Sequence, residues 1–91
     1  MTARIEVEKL KAREFRVRVI EGPGETSHVV TLQPEYHQRL SGGKATAEEL
    51  LKRSFEFLLE REPKESILPQ FELPVIARYF PEYEREIKRR I

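Results

Sequence analysis

Two histidines, His28 and His37, are the only imidazoles in this chain, and it has no cysteine. Without thiols, disulfide scaffolding, thiolate catalysis and zinc–thiolate sites are excluded. The histidines show neither HxH nor HxxxH spacing, and a metal site needs several ligands at defined geometry. They read more simply as parts of elements, His28 at the end of a packed strand face and His37 on a solvated helix. None of Ser27, Ser41, Ser54 and Ser66 sits in a G-x-S-x-G elbow. Ser54 falls among apolar residues at helical spacing, where its hydroxyl can bond back to its own backbone. Glu48-Glu49 and the Glu60/Glu62 pair could work as acid and base only in a shielded cleft. At a helix start, glutamates complement the dipole instead.

Two other groupings have the residue types of binding sites. Gly42-Gly43-Lys44-Ala45-Thr46 resembles a phosphate loop in outline, but it lacks the GxxxxGKS/T spacing and follows no strand. What remains is a weak anion seat of Gly43, Lys44 and Thr46 at a helix start. Its simpler reading is a flexible loop with an N-cap. Lys88-Arg89-Arg90, with Arg85, is the one basic cluster, and Glu82, Glu84 and Glu86 are interleaved with it. Glu84–Lys88 and Glu86–Arg90 fall at i,i+4, which suits a solvated helix face better than a nucleic-acid footprint. No grouping names a reaction. The chain is read as non-catalytic, with no cofactor and no metal.

Length and composition narrow the setting. The 91 residues make one domain, 1–91, whose small core leaves little room for a pocket. Seventeen basic residues against 16 acidic ones give a net charge of +1 and no field to steer nucleic acid or membrane. No apolar run approaches the roughly 20 residues of a membrane span, and the charged start is unlike a signal peptide. A cytoplasmic location is expected. All acidic residues are Glu and there is no Asn, a composition that suits a thermostable protein.

Three runs alternate apolar and polar residues: Ile5 to Glu8, Phe15 to Val19 and His28 to Leu32. They predict strands at about 4–10, 14–21 and 26–33. Pairing Val7 with Val17 and Ile5 with Val19 sets Glu8 against Arg16 and Glu6 against Arg18, and a one-residue slip breaks both faces. Around a turn at 21–25, Val19 would meet His28, Val17 would meet Val30 and Phe15 would meet Leu32. The result is a three-stranded antiparallel meander with one apolar face.

Helices must cover that face. A short one starts at Pro34-Glu35. The strongest spans 46–62, with Thr46 and Glu49 as a capping box and an apolar stripe through Leu50, Leu51, Phe55 and Leu58. Glu48–Lys52 and Glu49–Arg53 would support its outer face. Pro63 ends it. Short helices are expected from about Pro74 and Pro81. One helix is too narrow for three strands, so the apolar, Pro-punctuated stretch 67–83 must complete the core. Phe71, Ile76 and Phe80 are expected to be largely buried. Phe57 lies off the main stripe and implies a second buried face. Phe57, Phe71, Tyr79, Phe80 and Tyr83 are the candidate interaction or core-closing residues.

Val30-Thr31-Leu32, Pro34-Glu35, a Gly turn and AEELLKRSFEFLLER resemble the ribbon-helix-helix DNA-binding fold, which includes many bacterial antitoxins. The likeness covers residues 28–61. It implies a transcriptional regulator whose ribbon reads bases, yet the matching positions Val29, Thr31 and Gln33 carry no basic side chain. The whole chain, through SFEFLLEREPKESIL and RYFPEYEREI, is similar to small prokaryotic proteins of unassigned function, which implies no activity or site. The resulting expectation is an α+β interaction or regulatory module. Its partner is itself, as a homodimer, or another protein. DNA binding is the alternative, and no membrane partner is expected.

Overall fold

The computed structural model describes residues 3–91 and shows the alternating runs as β1 (Arg4–Lys9), β2 (Glu14–Glu21) and β3 (Gly24–Thr31). β1 and β2 pair in the expected register, Val7 opposite Val17 and Glu6 opposite Arg18. Glu6 is ion-paired with both Arg4 and Arg18.

β2 and β3 depart from expectation by two residues. Val19 faces Thr26, Val17 faces His28 and Phe15 faces Val30. The turn is the cause. The strands close on the two-residue loop Gly22-Pro23, with Gly22 at φ 56°. The proline ring holds the next φ negative, and this sign pattern is that of the tight type II′ hairpin turn. β3 therefore starts and ends two residues earlier than 26–33. An even shift keeps the apolar set on one face, so Phe15, Val17, Val19 and Val30 are buried as expected.

The sheet is mixed and four-stranded, in the order β1-β2-β3-β4, and not a three-stranded meander. β4 (Gln70–Glu72) runs parallel to β3 with Phe71 opposite Val30. Val29 N–H donates to Pro69 O and Leu73 N–H to Thr31 O at the two ends of the pairing. Parallel neighbours need a crossover, and here it holds α1 (Pro34–Ser41) and α2 (Ala47–Leu59). Pro34 opens α1, and Gly42, at φ 58°, closes it by donating to Gln38 O. Thr46 Oγ1 caps α2 by accepting from Glu49 N–H at 3.1 Å. α2 stops short of 62 where its last turn tightens, the Glu60 and Arg61 N–H groups bonding three residues back to Phe57 O and Leu58 O.

A single 3₁₀ turn (Lys64–Ser66), α3 (Val75–Tyr79) and α4 (Tyr83–Arg90) complete the chain. α2 lies along β1 and packs against α4, which also meets α1. Ile67, Phe71, Leu73, Ile76, Tyr83 and Ile87 are buried with the strand and α2 side chains in one core. The C-terminal third is thus structural, although Phe80 is only half-buried. Ion pairs clamp α4 to its neighbours in place of the i,i+4 pairs expected along it. Glu84 takes Arg39 at 2.6 Å, and Arg90 takes Glu60 at 2.7 Å. Arg53 similarly pairs with Glu56, not Glu49. No helix among the described residues is long and apolar enough to cross a membrane.

Candidate functional site

The five aromatic candidates divide into two groups. Phe57 and Tyr83 are fully buried. Phe57 escapes the main stripe because a second layer covers it. Phe80 and Tyr83 meet its ring edge-on at 6.0 and 5.3 Å, and the Arg61 guanidinium stacks 3.6 Å from its centroid. That cation can shield the ring while its charge goes to Glu82 at 3.0 Å. Tyr83 Oη lies 2.6 Å from Ser54 Oγ, and Ser54 donates its proton to Leu50 O at 2.8 Å. Tyr83 must therefore be the donor in their shared bond. Burial pushes its phenol well above the ordinary value.

Phe71, Tyr79 and Phe80 form the second group. They line a surface groove of about 190 Å³ with Leu58, Leu68 and Ile76. Its floor is core: Phe71 and Ile76 are buried, and Leu58 comes from the last turn of α2. Its rim is not. Tyr79 is 67% exposed and Leu68 42%, far more than folding requires of large apolar residues. Glu62 also borders the groove. Among the described residues no cation or hydrogen-bond donor meets its carboxylate, and partial burial lifts its pKa above the ordinary value.

His28 positions this rim. It is buried in the apolar face of the sheet and packs on Phe55 at 5.4 Å between ring centroids. Its Nδ1 lies 2.8 Å from Leu68 O. A carbonyl only accepts, so Nδ1 carries the proton, and Nε2 is left for the Thr26 hydroxyl at 2.9 Å. The histidine thereby ties the Leu68 backbone to β3 just before β4 begins. His37 is likewise a tie. Its Nε2 donates to Ala45 O at 2.7 Å, so it is half-buried and not merely solvated.

The residues of the weak anion seat are adjacent, and the Gly43 and Lys44 N–H groups and the Thr46 hydroxyl are already engaged. Gly43 N–H donates to Ser41 Oγ, Lys44 N–H donates to Ser41 O, and Thr46 caps α2. Glu48 and Glu49 stand in the first turn beside them. No group of three metal-ligating side chains occurs among the described residues. Sequence reasoning missed Leu68 and the role of Glu62 at the groove. The one available signal was a leucine in the short turn directly before Pro69.

The ribbon-like segment is β3, and both of its edges are occupied within the chain, by β2 and β4. No protein-family model, curated protein or solved structure matches this chain.

Proposed function

We propose that this protein is a non-catalytic interaction module that self-associates and binds a partner protein through the groove. The observation that carries the reading is the exposed pair Leu68 and Tyr79 at the rim of an apolar groove, beside Glu62, whose carboxylate meets no cation among the described residues. An apolar hollow with one negative group suits a large apolar side chain flanked by lysine or arginine. Burying one such anchor contributes about 2 kcal/mol, so a weak, transient contact is expected. The polar side chains of its lining are Glu62, Ser66 and Tyr79, with no imidazole and no second carboxylate among them. The alternative, a DNA-binding regulator, predicts steeply salt-dependent binding to duplex DNA.

The test is an amide chemical-shift titration of labelled protein with a short synthetic peptide holding leucine between lysines. Shifts are expected at residues 62, 68 and 75–80. They should weaken in Tyr79→Ala and when the peptide lysines become glutamates. Shifts that avoid the groove would overturn the reading. Salt-dependent binding of duplex DNA without groove shifts would replace it with the alternative.

A further inference from the structure

β1 is an edge strand with β2 on one side and, among the described residues, no strand on the other. Leu10 N–H donates to Glu14 O, which continues the β1–β2 register. Hydrogen-bonded pairs alternate along an antiparallel ladder, so Arg4, Glu6 and Glu8 bond inward to β2. The N–H and C=O groups of Ile5 and Val7 then point out from the edge. Edges that must stay single carry charged side chains, proline or a bulge. β1 does carry charges, but Arg4 and Glu6 are of opposite sign and can pair across a two-fold, residues 3–7 hold no proline, and the register with β2 is unbroken over the strand.

The side chains are equally open. Arg4 has 73% of its side chain exposed, and its partner Glu6 lies on its own strand. Such a pair contributes little to stability. Ile5 and Val7 are only half-buried under α2. They floor an open trough of about 370 Å³ walled by Glu48, Glu49, Lys52 and Arg53.

We propose that β1 pairs antiparallel with β1 of a second copy, about a two-fold axis at Ile5, joining the two sheets into one. The pairing rests on the reading that the chain self-associates, and it is independent of the groove. Charge selects the register. Only residues with outward backbone groups can form the hydrogen-bonded pairs, so Ile5 meets Ile5 and Ala3 meets Val7. On the solvent face each Arg4 then stands opposite Glu6 of the other copy. A register centred on Glu6 sets two glutamates face to face, and one centred on Val7 sets Glu6 against Glu8 twice. Like charges directly opposite are destabilising. The trough wall offers both signs in one helix row, which a copy turned end for end can match.

Sedimentation equilibrium of the whole chain tests the proposal, with circular dichroism to confirm that each variant folds. A species of twice the 10.8 kDa chain mass is expected. Arg4→Glu should weaken the dimer at least tenfold, and the swap Arg4→Glu with Glu6→Arg should recover it. The chain has no cysteine, so Ile5→Cys should give an oxidised dimer, since directly opposed hydrogen-bonded residues lie within disulfide reach. Val7→Cys should not, because its counterpart is Ala3. A monomer at all concentrations, or crosslinking through Val7 and not Ile5, overturns the pairing. A monomer that still binds the leucine–lysine peptide sinks self-association and this pairing together and leaves the groove standing, whereas a dimer that Arg4→Glu does not weaken and Ile5→Cys does not crosslink sinks this pairing alone. A dimer that ignores the peptide sinks the groove alone.

Discussion

Ser54→Ala and Tyr83→Phe should have unequal costs, and combining them should cost less than their sum. The two hydroxyls form a buried relay in which Tyr83 donates to Ser54 and Ser54 donates to Leu50 O. Both side chains are fully inaccessible to water. Ser54→Ala leaves the Tyr83 O–H with no acceptor, a penalty of about 1–3 kcal/mol. Tyr83→Phe removes one hydrogen bond but leaves Ser54 bonded to Leu50 O, a loss of about 0.5–1.5 kcal/mol. In the double variant the orphaned donor is gone, so its cost should not exceed that of Ser54→Ala alone. The coupling is then about 1 kcal/mol or more, within the range for residues in contact. For a domain of this size 1 kcal/mol moves Tm by about 4–8 °C. Urea unfolding followed by circular dichroism at constant m-value resolves these differences. Strict additivity, or a Tyr83→Phe cost larger than that of Ser54→Ala, would refute the assigned direction of the hydrogen bond.

Removing residues 67–91 should unfold the domain and not merely abolish binding. Ile67, Phe71, Leu73, Ile76, Tyr83 and Ile87 are buried, and at about 1.5–3 kcal/mol each their loss is on the order of 10 kcal/mol, comparable to a whole domain's stability. Loss of the far-ultraviolet and near-ultraviolet dichroism of the truncated chain is the expected reading, and a cooperative unfolding transition in it would contradict this account. Glu62→Gln should raise Tm at neutral pH and leave it unchanged in acid. Burial raises the Glu62 pKa above the ordinary 4.5, so the folded chain binds that proton more tightly than the unfolded chain. Its contribution to stability is therefore lost as pH rises from about 4.5 through the raised folded value. Paired thermal melts of the two proteins across that window check the sign.

How far the fold could be read ahead depended on how local its causes are. β1 and β2 were legible to the residue because alternation and opposite charge specify the same register. β3 was legible in face but not in pairing, because a single backbone angle at Gly22 decides between a two-residue and a longer turn. β4 was not legible at all. Gln70-Phe71-Glu72 is too short to show a period, and its partner lies beyond two helices. Phe57 was rightly placed on a second buried face, and Arg61 one turn later supplies part of that cover. Nothing in the spacing of Phe80 or Tyr83 specified the rest of the arrangement.

The groove was hidden for a related reason. Tyr79 and Phe80 are neighbours of the same chemical kind, yet one is exposed at the rim and the other half-buried against Phe57. Their difference comes from where α3 is held, and α3 follows directly from β4. β4 in turn is fixed by its pairing with β3 and by the bond from His28 to Leu68 O, which spans 40 residues of sequence. A buried histidine that first reads as the end of a strand face therefore acts on the shape of a surface on the other side of two proline breaks. The same contacts explain why the C-terminal segment holds so much apolar surface. Its inward residues close the sheet, and closing it leaves Leu68 and Tyr79 on the outside, fixed by a core that could not form without their neighbours. A segment whose composition looked divided between folding and binding thus closes the core with its inward residues, and the same backbone bonds position Leu68 and Tyr79 at the surface.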